Sequence, residues 1–186
     1  NTFGVRAALA REGPRDVMCR RCHSRVETLG HVIGECSFGR GARIQRHDEV
    51  VNAIEDSIKD QGLTYCKEEN FNAPDGSILR PDLVIITPES GLICDVTVRM
   101  EGDGSLQLAA SEKIGKYSIL DETIKSRFGV GRTAVLPLIF GSRGGILPRT
   151  IRHMERIGCG ERGMLSDIIL GIIRSTLYIA RGHLDY

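Results

Sequence analysis

Between residues 44 and 60 the apolar positions recur at helical spacing. Val50, Val51, Ile54 and Ile58 share one face, and Gly62 closes the segment, which predicts an amphipathic helix over 44–60. Residues 63–80 read as a strand or loop followed by a turn at Pro74-Asp75-Gly76. The run Leu83-Val84-Ile85-Ile86 is short, apolar and rich in β-branched residues. After a turn at 88–91, residues 92–100 alternate, and the two runs together predict a β-hairpin. A loop at 102–105 leads to a predicted helix over 107–128. Residues 134–140 form another buried strand, interrupted by Pro137, and Gly141, Gly144 and Gly145 mark a tight loop. From about Thr150 the pattern is helical again, with Leu165, Ile168, Ile169, Ile172 and Ile173 on its apolar face. Helix, strands, helix, strand, helix is the order of an α/β architecture with a mixed sheet flanked by helices.

Composition narrows the class. The chain has 186 residues, 41% of them hydrophobic, enough for one core or a core with a small appended module. No apolar run is read as approaching the roughly 20 residues of a membrane span, so no membrane partner is expected. No secretory signal is visible, and a start at Asn1 rather than methionine suggests a piece of something larger. The net charge of +1 conceals a pattern. Residues 1–46 carry nine Arg and four acids, residues 47–95 three basic residues and eleven acids, and the remainder is again basic. An arginine-rich start suits phosphate contacts, and an acidic middle suits a divalent cation.

Cys19, Cys22, His31 and Cys36 follow the spacing C-x2-C-x8-H-x4-C. Four such ligands close a tetrahedral zinc site with no position left for water, which makes the site structural. A segment this short gains its fold from the metal. His23 competes with His31 as the third ligand, and the longer loop to His31 makes the better knuckle. The remaining cysteines, Cys66, Cys94 and Cys159, are scattered, which argues against a disulfide framework and for a reducing compartment. Arg20, Arg21 and Arg25 lie on or beside the knuckle, where they are expected against phosphates.

The hairpin carries the second candidate site. Asp82 enters its first strand, and Asp95 sits inside the second, thirteen positions on. An acid inside an apolar strand is costly unless it is paired or binds a cation. A hairpin of this length sets the two carboxylates side by side, and Mg²⁺ or Mn²⁺ relieves their repulsion and can activate water at a phosphodiester. Cys94 alternates to the opposite face and reads as core.

The spacing P-D-x12-D resembles the PD-(D/E)XK nucleases. Those usually place a lysine two residues after the second acid, where this chain has Thr97; Lys113 and Lys116, one helical turn apart and followed by Tyr117, offer a replacement. The whole order resembles the restriction-like endonuclease of site-specific non-LTR retrotransposons, in which a CCHC knuckle precedes an Arg/Lys-His-Asp/Asn motif (here Arg46-His47-Asp48), an Arg/Lys-Pro-Asp motif (Arg80-Pro81-Asp82), a second Asp (Asp95) and a lysine-tyrosine helix (Lys113, Lys116, Tyr117). The resemblance covers residues 1–145. The chain is accordingly expected to divide into an arginine-rich lead-in with the CCHC zinc knuckle over 1–40 and a PD-(D/E)XK-type endonuclease domain over 41–186. The resemblance implies that Asp82 and Asp95 hold the metal, that Lys113 or Lys116 positions the nucleophile or steadies the phosphate, and that Arg46 and His47 contact DNA or brace the site. Arg80, Arg20, Arg21 and Tyr117 are further expected DNA contacts. Asp48 or Glu49 is either a third acid or, preferably, a helix N-terminal acid. The implied partners are double-stranded target DNA, the reverse transcriptase of the same polyprotein and the element RNA, in the nucleus. The alternatives are a Holliday-junction-resolvase-like nuclease and a binding domain with a degenerate nuclease fold, for which Thr97 is the argument.

Overall fold

The computed structural model describes residues 4–9 and 16–184. Arg11 and Arg15 of the arginine-bearing lead-in lie outside them. A short helix α1 (Arg6–Leu9) precedes the Cys/His module, which ends in a π-helical turn (His31–Glu35) and a 3-10 turn (Ser37–Gly39). Then follow α2 (Arg40–Asp60), β1 (Thr64–Lys67), a small hairpin of β2 (Phe71–Asn72) and β3 (Ile78–Leu79), β4 (Leu83–Ile86) and β5 (Ser90–Arg99). The chain closes with α3 (Ser105–Tyr117), a 3-10 turn (Ser118–Leu120), α4 (Asp121–Phe128), β6 (Arg132–Gly141), α5 (Pro148–Arg156) and α6 (Arg162–Leu184).

The main sheet runs β1-β4-β5-β6. β1, β4 and β5 are antiparallel in turn, and β6 is parallel to β5. The parallel pair needs a crossover, which α3 and α4 supply. This is the mixed sheet flanked by helices that the hydrophobic pattern predicts.

Strand alternation sorts the core into two layers. Leu92, Cys94 and Val96 of β5, with Leu136, Leu138 and Phe140 of β6, pack against Val50, Val51, Ile54 and Ile58 of α2, Met154 of α5, and Ile168 and Ile172 of α6. Val84 and Ile93 face the other way, onto Tyr117, Leu120 and Ile124. Full burial of each such aliphatic side chain contributes roughly 1.5–3 kcal/mol. Cys94 is core, as alternation predicts.

Several expectations need correcting. α2 begins at Arg40, four residues earlier than predicted and straight through Gly41, because its first turn is held against the knuckle by Arg43, whose Nη1 donates to the Cys36 carbonyl at 2.6 Å. The single helix over 107–128 is instead two helices broken at Ser118–Leu120, a bend that brings Tyr117, Leu120 and Ile124 all onto the sheet. α6 is long and apolar enough to cross a membrane by length and composition, contrary to the expectation that no run approaches that length. One face of this helix packs as a core helix does, through Ile168, Ile172, Thr176, Ile179, Ala180 and His183.

Gly91 is a packing requirement. A Cβ there would stand 2.5 Å from Cγ2 of Ile124, which is fully buried. Gly91→Ala is expected to cost about 1–3 kcal/mol through overpacking. Urea denaturation will read this as a lower midpoint at unchanged m value; an unchanged midpoint would show that α4 gives way freely.

Candidate active site and zinc knuckle

The sequence places Asp82 and Asp95 on two strands, and the register sets them beside each other. Leu83 pairs with Cys94, so Asp82, just outside β4, comes level with Asp95 in β5. The Val96 N–H donates to Asp82 Oδ2 at 2.6 Å. His47, on α2, brings Nε2 to 3.2 Å from the same oxygen, while its Nδ1 is 3.1 Å from Asp48. The hydrogen bond and charge of Asp82 push the His47 imidazolium up to about 9. It is therefore cationic at neutral pH.

Asp95 is 3% exposed. Lys113 of α3 places Nζ 2.7 Å from its Oδ2. This is an ion pair without the angle of a directed hydrogen bond, so Oδ2 is a buried oxygen with no hydrogen-bond donor. Lys116, one turn on, points elsewhere: its Nζ donates to the Tyr117 hydroxyl at 2.9 Å and lies over that ring. A cleft of about 390 Å³ opens in front of these groups, lined by Arg43, Arg46, His47, Arg80, Lys113 and Lys116 around Asp82 and Asp95. Thr97 also lines it, in the place where a strand lysine was expected.

The chemistry of this donor set fits a hard cation. Two carboxylates converge, Asp82 has one oxygen committed to Val96 and His47, and Asp95 has an oxygen without a directed donor. Mg²⁺ typically takes one or two carboxylates and keeps waters and phosphate oxygens for the rest. Among the described residues no third acid lines the cleft. Asp48 is half-exposed and turned to His47, and Glu49 accepts from Gln45 and Ser175. Neither is an N-terminal helix acid either, since α2 starts two turns earlier.

The knuckle assembles as its spacing predicts. The donor atoms of Cys19, Cys22, His31 and Cys36 all lie within 4.8 Å of one another. Sγ of Cys19 and Cys36 are 3.7 Å apart, and Cys22 Sγ is 3.3 Å from His31 Nε2. With Zn–S about 2.3 Å and Zn–N about 2.0 Å, a tetrahedron has edges of about 3.5–3.8 Å, so the four atoms fit a zinc ion. His23, the competing ligand, is exposed and sits at φ 54°.

The expected DNA contacts divide. Arg80 lies half-exposed at the cleft, held by the Glu68 carboxylate at 2.6 Å. Arg46 is 2% exposed, donating to Thr176 Oγ1 at 2.8 Å and to the Ile33 carbonyl at 3.4 Å. It ties α2 to α6 and the knuckle, so of contact and brace it is the brace. Arg20 is drawn inward instead, its Nε and Nη2 on the buried Glu27 carboxylate. Arg21 caps the end of α6, its Nε and Nη2 donating to the carbonyls of His183 and Gly182 at 3.0 and 3.2 Å. Those carbonyls have no partner within the helix, and a basic side chain there also meets the negative end of the dipole. Tyr117 is buried and donates to the Arg80 carbonyl at 3.1 Å, so it positions the Arg80 backbone instead of meeting DNA.

Two residues escaped the sequence reading. Glu27 is fully buried and binds Arg20 and the Arg6 amide, which hold it down to about 2 despite burial. His183 stands with Nε2 3.2 Å from Glu27 and 3.6 Å from Cys19 Sγ. A signal for His183 was present: Ile168, Ile172, Thr176, Ile179, Ala180 and His183 continue one helical stripe. Through these contacts the knuckle and the α2–α6 layer pack together.

No family model matches the chain. Over 134 residues, 70% of its length, it is 33% identical to a "Retrovirus-related Pol polyprotein from type-1 retrotransposable element R2" of Popillia japonica, of which it covers 28%. A second Popillia japonica protein of the same description is 31% identical over 160 residues, 78% of this chain and 36% of the relative. One from Bradysia coprophila is 22% identical over 180 residues, 95% of this chain and 20% of the relative. The chain thus spans between 20% and 36% of the length of these curated relatives. Its homologues are the Pol polyproteins of R2 non-LTR retrotransposons.

Proposed function

We propose that this chain is the metal-dependent endonuclease part of an R2-type polyprotein, nicking double-stranded target DNA so that the new 3′ end primes reverse transcription of the element RNA. The observation that carries the reading is the Lys113–Asp95 pair at 2.7 Å, level with Asp82 at the mouth of a cationic cleft. It supplies, from a helix, the ammonium that Thr97 lacks. Held by Asp82 and Asp95, Mg²⁺ or Mn²⁺ would activate water and neutralise charge on the phosphodiester. Lys113 fixes Asp95 and presents its charge where the phosphate enters. Arg43, Arg80 and Lys116 draw the backbone into the cleft, and His47 orients Asp82. The polymerase and the RNA-binding parts belong to the rest of the polyprotein, and the setting is the nucleus.

The test is conversion of supercoiled plasmid to open circles by the zinc-loaded chain with added Mg²⁺ or Mn²⁺. Absence of nicking with either cation would leave a binding-only domain, the alternative that Thr97 suggests. The contact of Lys113 with Asp95 supports Lys113 over Lys116 as the acting lysine. Lys113→Ala is expected to lower the nicking rate by about 100-fold or more, and Lys116→Ala by less than about 10-fold. The opposite order would move the catalytic ammonium to Lys116.

A further inference from the structure

The nine-residue helix α5 carries Arg149, Arg152 and Arg156, all exposed. At 100° per residue they fall within about 60° of one another, and they span about 10 Å along the axis. None of the three has an ion pair or hydrogen bond among the described residues. Arg6, Arg20, Arg25, Arg80, Arg99, Arg127, Arg132 and Arg143 are paired with acids. Arg40, Arg162, Arg174 and Arg181 are also exposed without an ion pair among the described residues, but no three of them fall within two turns of one helix. The one acid of α5, Glu155, lies against Gly160 instead. The three guanidiniums act together on His153, whose pKa is lowered by burial and by their charge.

The helix beneath them is fixed. Thr150 Oγ1 accepts from Ile139 N and donates to Ile139 O, at 3.2 and 3.1 Å. His153 Nδ1–H donates to the Pro137 carbonyl at 3.0 Å. α5 therefore seals backbone groups of β6, one of the two edge strands of the sheet. Met154 and Ile157 bury the other side. An unpaired cationic row on a rigid support, away from the cleft lining, is a ready site for a polyanion. No Phe, Tyr or Trp occurs on α5, so bases have no ring platform to stack on, and the row matches a duplex backbone better than a single strand.

We propose that α5 is a second DNA-docking surface, in which Arg149, Arg152 and Arg156 grip the phosphate backbone of duplex DNA outside the cleft. This rests on the reading of the chain as acting on DNA and deepens it. About three phosphates are within reach of a row this long.

The experiment is a salt titration of duplex binding by the zinc-loaded chain, without added Mg²⁺ so that no cutting occurs. In the triple variant R149Q/R152Q/R156Q, the slope of log K against log salt is expected to fall by about 2–3, at about 0.9 per lost contact. The triple Arg→Lys variant should keep most of it. A control triple, R99Q/R127Q/R132Q, removes equal charge from positions paired with acids and should change the slope far less. An unchanged slope in the α5 variant, or an equal fall in the control, would overturn the proposal. A larger loss on single-stranded RNA than on duplex DNA would also overturn it, assigning α5 to RNA. The outcome is separable from the nuclease reading. Stripe-dependent binding without nicking would sink the nuclease and leave this site standing, and nicking with an unchanged slope would do the reverse.

Discussion

Asp95→Asn is expected to abolish plasmid nicking, with a fall on the order of a thousandfold or more, while the chain remains folded. The substitution is isosteric, so the packing of Cys94 and Val96 on the far face of β5 is undisturbed. What changes is charge. Asp95 is buried and pairs with Lys113, and Asp82 lies level with it across the hairpin. Removing one carboxylate leaves a single anionic ligand, too little to hold a hard cation against its hydration. Lys113 loses its partner as well. Its side chain is 26% exposed and can turn to water, so the stability loss should lie below the roughly 3–5 kcal/mol of a fully buried broken pair. Nicking and thermal melting measured on one preparation distinguish the two effects. Asp82→Asn should lose nicking to a similar extent, because the two carboxylates hold the cation as a unit. Full activity in either variant would remove the hairpin from the mechanism.

The second large effect concerns the knuckle. Cys19→Ser is expected to reduce zinc from about one per chain to none and to unfold residues around the π-helical turn, because structural zinc supplies roughly 10–16 kcal/mol in comparable short modules. The consequence should extend beyond the knuckle. Cys19 Sγ is 3.6 Å from His183, Glu27 bonds the same imidazole, and Arg21 holds the final carbonyls of α6. Loss of the metal should therefore release the last turns of α6, read as faster amide exchange over Ile179–His183 than over Ile168–Ile172. Chelation of zinc from the unmodified chain should reproduce the pattern. A variant that still binds one zinc, or a chelated chain with unchanged protection at the end of α6, would break this link.

Much of the fold was legible because it rests on local periodicity. The stripe Val50, Val51, Ile54, Ile58 gave α2, and the alternation through Asp95 gave β5 with Cys94 turned to the core. Ligand spacing alone was enough for the knuckle, since a four-point tetrahedral site constrains a short loop strongly. The acids of the hairpin were also found from the chain, because a carboxylate in an apolar strand demands a partner.

Roles that depend on distant packing were not determined by the sequence. An arginine looks the same whether it meets a phosphate or a carbonyl, and only the fold drew Arg20 to Glu27, Arg21 to the end of α6 and Arg46 to Thr176. Burial likewise turned Tyr117 from a surface contact into a brace. Lys113 and Lys116 share a helix and a spacing, so the chain could not rank them; the bend after α3 and its seat on the sheet put Lys113 at Asp95 and Lys116 on Tyr117. The sequence by itself determined which residues are candidates for the chemistry and where most helices and strands lie, because both follow from residue type and short-range spacing. The tertiary structure decided which charges are consumed inside the protein and which stay free for a ligand, because that depends on what stands opposite each one.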